Sequence, residues 1–143
     1  MAEYIAPIQR LIEEFRRLPG VGAKTAARYA FAALNFTDDE AARFSEAMLA
    51  LKRDVHKCPI CYSLSSSIES CEVCSDPDRD HSVICVVENA KDVMVMERVR
   101  GYKGLYHVLG GALSPIDNVT ADDLTFAALV ERVKGGEVRE III

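Results

Sequence analysis

Apolar positions in the first third of the chain recur at helical spacing. Tyr4, Ile8, Leu11, Phe15 and Leu18 stand three or four residues apart, with Ile5 and Ile12 beside them, and so form one stripe of an α-helix. Pro19-Gly20-Val21-Gly22 ends that stripe. The following segment, Ala23 to Leu34, is rich in strong helix formers and predicts a second helix across a tight hairpin. A third helix is predicted after Thr37, where Thr37 and Glu40 have capping-box spacing. It carries Ala41, Phe44, Met48, Leu51 and Val55 on one side.

The period changes beyond residue 80. Ser75 to Asp80 reads as a polar linker or tight loop, and Val83 to Val87 is a continuous apolar run of the kind found in a fully buried strand. A helix through Val93, Met96, Val99 and Arg100 follows, then a second strand from Leu105 to Leu109 leading into Gly110-Gly111. A further helix is predicted from Asp122 to Lys134, with Thr120 as its cap and Gly135-Gly136 as its stop. A last strand is predicted over Glu137 to Ile143. This β-α-β-α-β order implies a parallel sheet with right-handed crossovers. The chain thus reads as α+β and multi-module: a helical segment 1–56, a cysteine-rich segment 57–76 and an α/β segment 77–143.

Composition narrows the function classes. The chain has 143 residues, 50% of them apolar and 27% charged. Its longest apolar runs are far too short to cross a bilayer, and the N-terminus lacks a basic region followed by a long apolar core, so a cytoplasmic location without membrane attachment is expected. The net charge of −5 argues against a broadly basic nucleic-acid coat. The charge is uneven, however. Residues 1–57 hold nine Lys or Arg against eight Asp or Glu, and Arg16, Arg17, Lys24 and Arg28 gather near the glycine turn, so any anion site must be local.

Four of the five cysteines form two CxxC pairs, Cys58/Cys61 and Cys71/Cys74, separated by nine residues. A two-residue spacer lets both sulfurs of a tight turn converge on one ion, and two such turns complete the tetrahedral sulfur set that zinc prefers. One structural Zn2+ is the expected cofactor, because four sulfurs leave no position for water or substrate. Two disulfides would use the same residues but are rare in the cytosol. An electron-transfer iron centre would also take this ligand set. Cys85, inside the apolar run, reads as a small buried hydrophobe.

The glycine turn carries a chemistry of its own. Gly20 and Gly22 let the backbone approach a phosphate, and the unpaired amides that open the next helix point toward such an anion. Lys24 and Arg28 are four apart and share a helix face, while Thr25 offers a hydroxyl. A nucleotide-binding P-loop is a competing reading, but Ala23 separates Gly22 from Lys24 and the preceding segment is helical. The plainest alternative is a tight turn with ordinary exposed basic residues.

Leu18 to Ala26 resembles the helix-hairpin-helix motif of non-sequence-specific DNA-binding proteins, and Val86 to Asp92 is similar to the opening of a Toprim domain. Hairpin, four-cysteine finger and Toprim opening in that order, together with the stretch Val108-Leu109-Gly110-Gly111-Ala112-Leu113-Ser114-Pro115-Ile116-Asp117, resemble the RecR family of bacterial recombination mediators. The resemblance implies a non-enzymatic repair protein that works with RecO and RecF to load a recombinase onto single-stranded DNA. It also implies assembly into dimers and ring-like tetramers, and binding of single- and double-stranded DNA. Carried over, Lys24 and Arg28 match the DNA-contacting positions, the four cysteines match the zinc ligands, and Glu88 matches the Toprim acidic position, a partner site or vestigial metal site. Family members continue past the strand that holds Ile141 to Ile143, so only the first part of the Toprim fold is expected here, which leaves the tetramer open. A metal-dependent Toprim primase or nuclease fragment is the rival class.

Overall fold

The computed structural model describes residues 4–143, which divide into two compact units, the first ending at Lys52 and the second beginning at Arg53.

In the first unit, α1 spans Ala6–Arg16 and α2 spans Ala23–Ala33, as the apolar stripe predicts. They pack through Ile12, Ala26 and Ala30, all 5% exposed or less. Two alanines at the crossing let the helices approach closely, and edge-on ring pairs flank them, Tyr4 with Phe31 and Phe15 with Tyr29, each at 5.6 Å. The third helix, α3, spans Asp38–Asp54. Its capping box forms as expected: the Glu40 amide donates to the Thr37 hydroxyl and the Thr37 amide to the Glu40 carboxylate. The predicted apolar stripe is uncovered, however: Phe44, Met48 and Leu51 on α3, and Val55 just beyond its end, are all exposed.

The second unit opens with a short antiparallel pair, β1 (His56–Lys57) and β2 (Leu64–Ser65), and a single-turn helix, α4 (Glu72–Ser75). A three-stranded parallel sheet follows in the order β4-β3-β5, built from β3 (Asp80–Val87), β4 (Gly104–Val108) and β5 (Glu140–Ile142). The helices α5 (Ala90–Val99) and α6 (Phe126–Lys134) lie on its two faces. Strand alternation sorts the core accordingly: Ile84, Val86 and Leu105 pack with Leu129 of α6, while Cys85, Tyr106 and Val108 pack with Val93 of α5. Cys85 is buried, as its place in the apolar run predicts. Gly104 is required where β4 begins, because a Cβ there would lie 2.8 Å from the Val83 carbonyl oxygen and closer still to the Tyr102 hydroxyl.

Three elements differ from the sequence reading. The helix expected from Asp122 to Lys134 is broken: a 3-10 turn covers Ala121–Asp123, and α6 begins only at Phe126. Thr125 causes the break. Its amide donates to the Leu109 carbonyl and its hydroxyl to the Val108 carbonyl, so the chain is held to the end of β4 before the helix starts. The expected cap at Thr120 forms, but on the 3-10 turn. The last strand covers Glu140–Ile142 rather than all of Glu137 to Ile143, and β3 starts at Asp80, inside the segment read as a loop.

Candidate metal centre and nucleic-acid interface

The sulfurs of Cys58, Cys61, Cys71 and Cys74 all lie within 4.8 Å of one another. Cys58, Cys61 and Cys71 are buried and Cys74 is half-buried, and none of them is in a disulfide. Cys61 and Cys71 sulfurs are 3.5 Å apart, too far for a disulfide and close to the separation of about 3.8 Å that a tetrahedral ion with sulfur ligands at about 2.3 Å imposes. The first knuckle is closed by the Tyr62 amide on the Cys58 carbonyl and the Cys58 amide on the Ser63 carbonyl, with Tyr62 left-handed at φ 63°. In the second, Cys71 caps α4. Backbone amides also aim at sulfur, Cys71 N–H at Cys58 Sγ (3.3 Å) and Cys74 N–H at Cys71 Sγ (3.4 Å). Amides directed at sulfur stabilise thiolate.

The electrostatics point the same way. Hydrogen bonding from the Cys61 thiol drives Cys71 strongly toward thiolate, while bonding to Cys71 holds Cys61 up as a thiol. Cys74 is also pushed up, by Cys61 first. Four sulfurs this close cannot share more than a fraction of the negative charge by themselves. A divalent cation removes that limit, so the donor set fits a sulfur-preferring tetrahedral ion, whose chemistry would be to cross-link the two knuckles.

The finger is seated on the outer edge of β4. The Val108 amide donates to the Cys61 carbonyl at 2.8 Å, Val73 packs against the clusters on both faces of the sheet, and the Tyr62 ring lies 5.5 Å from that of His107. This cover explains why every residue of β4 is buried although it is an edge strand. His107, fully buried, is held from the other side by Thr125 and by Arg132, whose guanidinium lies 3.1 Å from His107 Nδ1 and also donates to the Tyr106 carbonyl at 2.7 Å. Burial pushes the His107 pKa down. A second tie joins the chain leaving the finger to α5: Arg79 makes a two-toothed ion pair with Glu97, which also accepts the Tyr106 hydroxyl. Sequence reasoning assigned no role to His107, Arg132, Arg79 or Glu97.

At the hairpin, Gly20 takes φ +78°, and Gly22 is the N-cap of α2. Having no side chain, Gly22 caps no amide of the first turn of α2. Lys24 and Arg28 are exposed and Thr25 is half-buried. Arg28 lies 5.5 Å above the Tyr29 ring. The turn, its amides and the two exposed cations therefore stand on one unit.

Glu88 is exposed just beyond β3, where its carbonyl accepts the Gly110 amide at 2.9 Å. The helices that follow β3 and β4 go to opposite faces, so Glu88 sits at the point where open α/β sheets place ligands. It belongs to no cluster of three ligating side chains among the described residues; the four cysteines form the one such cluster found there.

A hairpin with an uncapped glycine turn, a four-cysteine finger and a doubly wound parallel sheet define a helix-hairpin-helix and Toprim protein. A family profile described as RecR, helix-hairpin-helix matches residues 8–52, and the Toprim domain profile matches residues 82–143. Over 140 residues, 98% of this chain and 70% of the relative, the chain is 46% identical to the recombination protein RecR of Enterococcus faecalis. Over the same span it is 50% identical to that of Bifidobacterium adolescentis and 45% identical to that of Staphylococcus aureus. The chain belongs to the RecR family.

Proposed function

We propose that this chain is a non-enzymatic, DNA-binding recombination mediator that acts in the bacterial cytoplasm in recombinational DNA repair, helping RecO- and RecF-type partners load the recombinase onto single-stranded DNA. The observation that carries the reading is the hairpin: an open glycine turn, an uncapped first helical turn, and Lys24 and Arg28 exposed on that helix. Phosphate is bound there by backbone amides of α2, by the two cations and by the Thr25 hydroxyl, without base readout. The four cysteines hold one structural Zn2+, which joins the knuckles and seats the finger on β4. Glu88 and the strand ends around it serve for partner contact. Relatives named as recombination proteins favour this reading over a metal-dependent Toprim enzyme, which needs several carboxylates around its ion.

Self-association is part of the proposal. An open apolar groove of about 630 Å³ runs along the first unit, lined by Leu11, Phe15, Tyr29, Ala33, Phe36 and Phe44 among others. Contiguous apolar surface of this kind marks a protein contact, and a second copy is the proposed occupant.

The test is a Lys24→Ala, Arg28→Ala variant titrated with labelled single-stranded DNA over a range of salt concentrations. Each lost phosphate contact makes the dependence of log K on log salt shallower by about 0.7, so a change of about 1.4 is expected. An unchanged slope and affinity would overturn the proposal.

A further inference from the structure

The last turn of α5 and the loop that joins it to β4 carry a second concentration of positive charge. Arg98, Arg100 and Lys103 are all exposed, and no Asp or Glu occurs from Arg98 through Ile116. The surrounding unit is acidic, with ten Lys or Arg against fifteen Asp or Glu over residues 53–143, so this run of cations along the chain is not a by-product of composition. Glu97 and Asp80 border the turn, and both carboxylates are engaged: Glu97 by Arg79 and the Tyr106 hydroxyl, and Asp80, which pairs with Gly104, by the Ser82 amide and hydroxyl. Lys103 acts on Glu97 through its charge alone. None of the three basic side chains makes a hydrogen bond or ion pair among the described residues.

The turn is also fixed in place. The Lys103 carbonyl accepts the Asp80 amide at 2.9 Å, the Tyr102 hydroxyl donates to the Leu105 carbonyl at 2.9 Å, and the Tyr102 and Tyr106 rings are 5.0 Å apart. Within this fixed turn, α5 ends on Arg100 in the left-handed region, φ 54° and ψ 17°, although Gly101 stands next to it and would adopt that conformation without strain. Cations at a helix C-terminus complement the helix dipole, and that would account for Arg98. It does not account for Lys103, which lies beyond the helix, or for an arginine at the position where glycine is favoured.

We propose that Arg98, Arg100 and Lys103 form a second phosphate-binding surface, on the sheet unit, that holds the backbone of single-stranded DNA independently of the hairpin. This inference rests on the DNA-binding reading given above. Two guanidinium groups and an ammonium on a fixed turn contact phosphates through charge and hydrogen bonding, without reading bases, so the contact is insensitive to sequence and sensitive to salt.

The test compares the full chain with three variants in anisotropy titrations of a labelled oligothymidylate over a range of salt concentrations. Arg98→Ala, Arg100→Ala, Lys103→Ala is expected to bind about tenfold or more weakly at low salt, with a slope shallower by about 2, since three single-strand contacts are lost. Arg98→Lys, Arg100→Lys keeps the charge and is expected to retain most of the binding. Arg100→Gly removes one charge and relieves the left-handed strain, so it is expected to melt no lower than the parent while its slope becomes shallower by about 0.7. That variant keeps the test decisive should the triple substitution disturb folding. Unchanged binding by Arg100→Gly and the triple variant, with binding lost in Lys24→Ala, Arg28→Ala, would overturn this inference and leave the hairpin reading intact. Loss in the turn variants with none in the hairpin variant would support this surface and refute the hairpin instead.

Discussion

Glu97→Gln tests how the chain leaving the finger is held to the sheet. Glu97 pairs with Arg79, whose side chain is 13% exposed, and is itself 31% exposed. It also accepts the Tyr106 hydroxyl at 2.7 Å. A glutamine keeps the shape and one acceptor but removes the charge, leaving Arg79 with the Gly104 carbonyl at 3.3 Å and Asp76 at 3.6 Å. Breaking a fully buried pair costs about 3–5 kcal/mol and an exposed one about 0–1 kcal/mol, so this partly covered pair is worth about 2 kcal/mol. Thermal unfolding followed by circular dichroism is expected to show Tm lower by about 5–15 °C at neutral pH. The pH dependence supplies a second check. Arg79 holds the Glu97 carboxyl below its ordinary value of 4.5. A depressed carboxylate contributes stability that is present above its unfolded pKa and is lost as pH falls through the folded one. The gap between parent and variant should therefore close as pH drops below about 4.5. A gap under about 0.5 kcal/mol at neutral pH, or one that persists undiminished in acid, would refute the reasoning.

Three further substitutions probe other parts of the molecule. Cys58→Ser, at a fully buried position of the four-cysteine cluster, should abolish the one zinc per chain that elemental analysis is expected to find, and full retention of metal would contradict the proposed four-cysteine zinc site. His107→Gln should remove a pH dependence: burial depresses the His107 pKa below its ordinary 6.5, so its contribution to stability is present above pH 6.5 and is lost as pH falls through the depressed value. Parent and variant stability curves that run parallel from about pH 7 to 5 would count against that assignment. Phe44→Asp in the apolar groove, at a position 49% exposed, should change monomer stability by less than about 1 kcal/mol while shifting sedimentation toward the monomer; unchanged sedimentation would remove the groove from self-association.

What could be read from sequence was whatever depends on local spacing. The stripe from Ile8 to Phe15, the glycine turn, the two CxxC pairs and the apolar run from Val83 to Val87 each carry their structure within a few residues. Pairings between distant residues were not legible. Arg79 and Glu97 are eighteen apart, and His107, Thr125 and Arg132 meet only because α6 returns across β4. Thr125 shows the limit most clearly: its neighbours favour helix, yet two hydrogen bonds to the end of β4 outweigh that preference and delay α6. The two-residue strands beside the finger are too short to leave a periodic signal. The α3 stripe predicted an apolar face correctly but could not say what covers it.

Gly22→Ala gives the most direct measurement of the proposed DNA contact. No atom lies within 4 Å of a Cβ placed there, and Gly22 has an ordinary φ of −81°, so melting should stay within a few degrees of the parent. If backbone amides of the hairpin hold phosphate, that methyl stands between them and the anion. Affinity for single-stranded DNA should then fall about tenfold while the fold is unchanged. Equal affinity and an equal salt slope in parent and variant would contradict the hairpin as the DNA site.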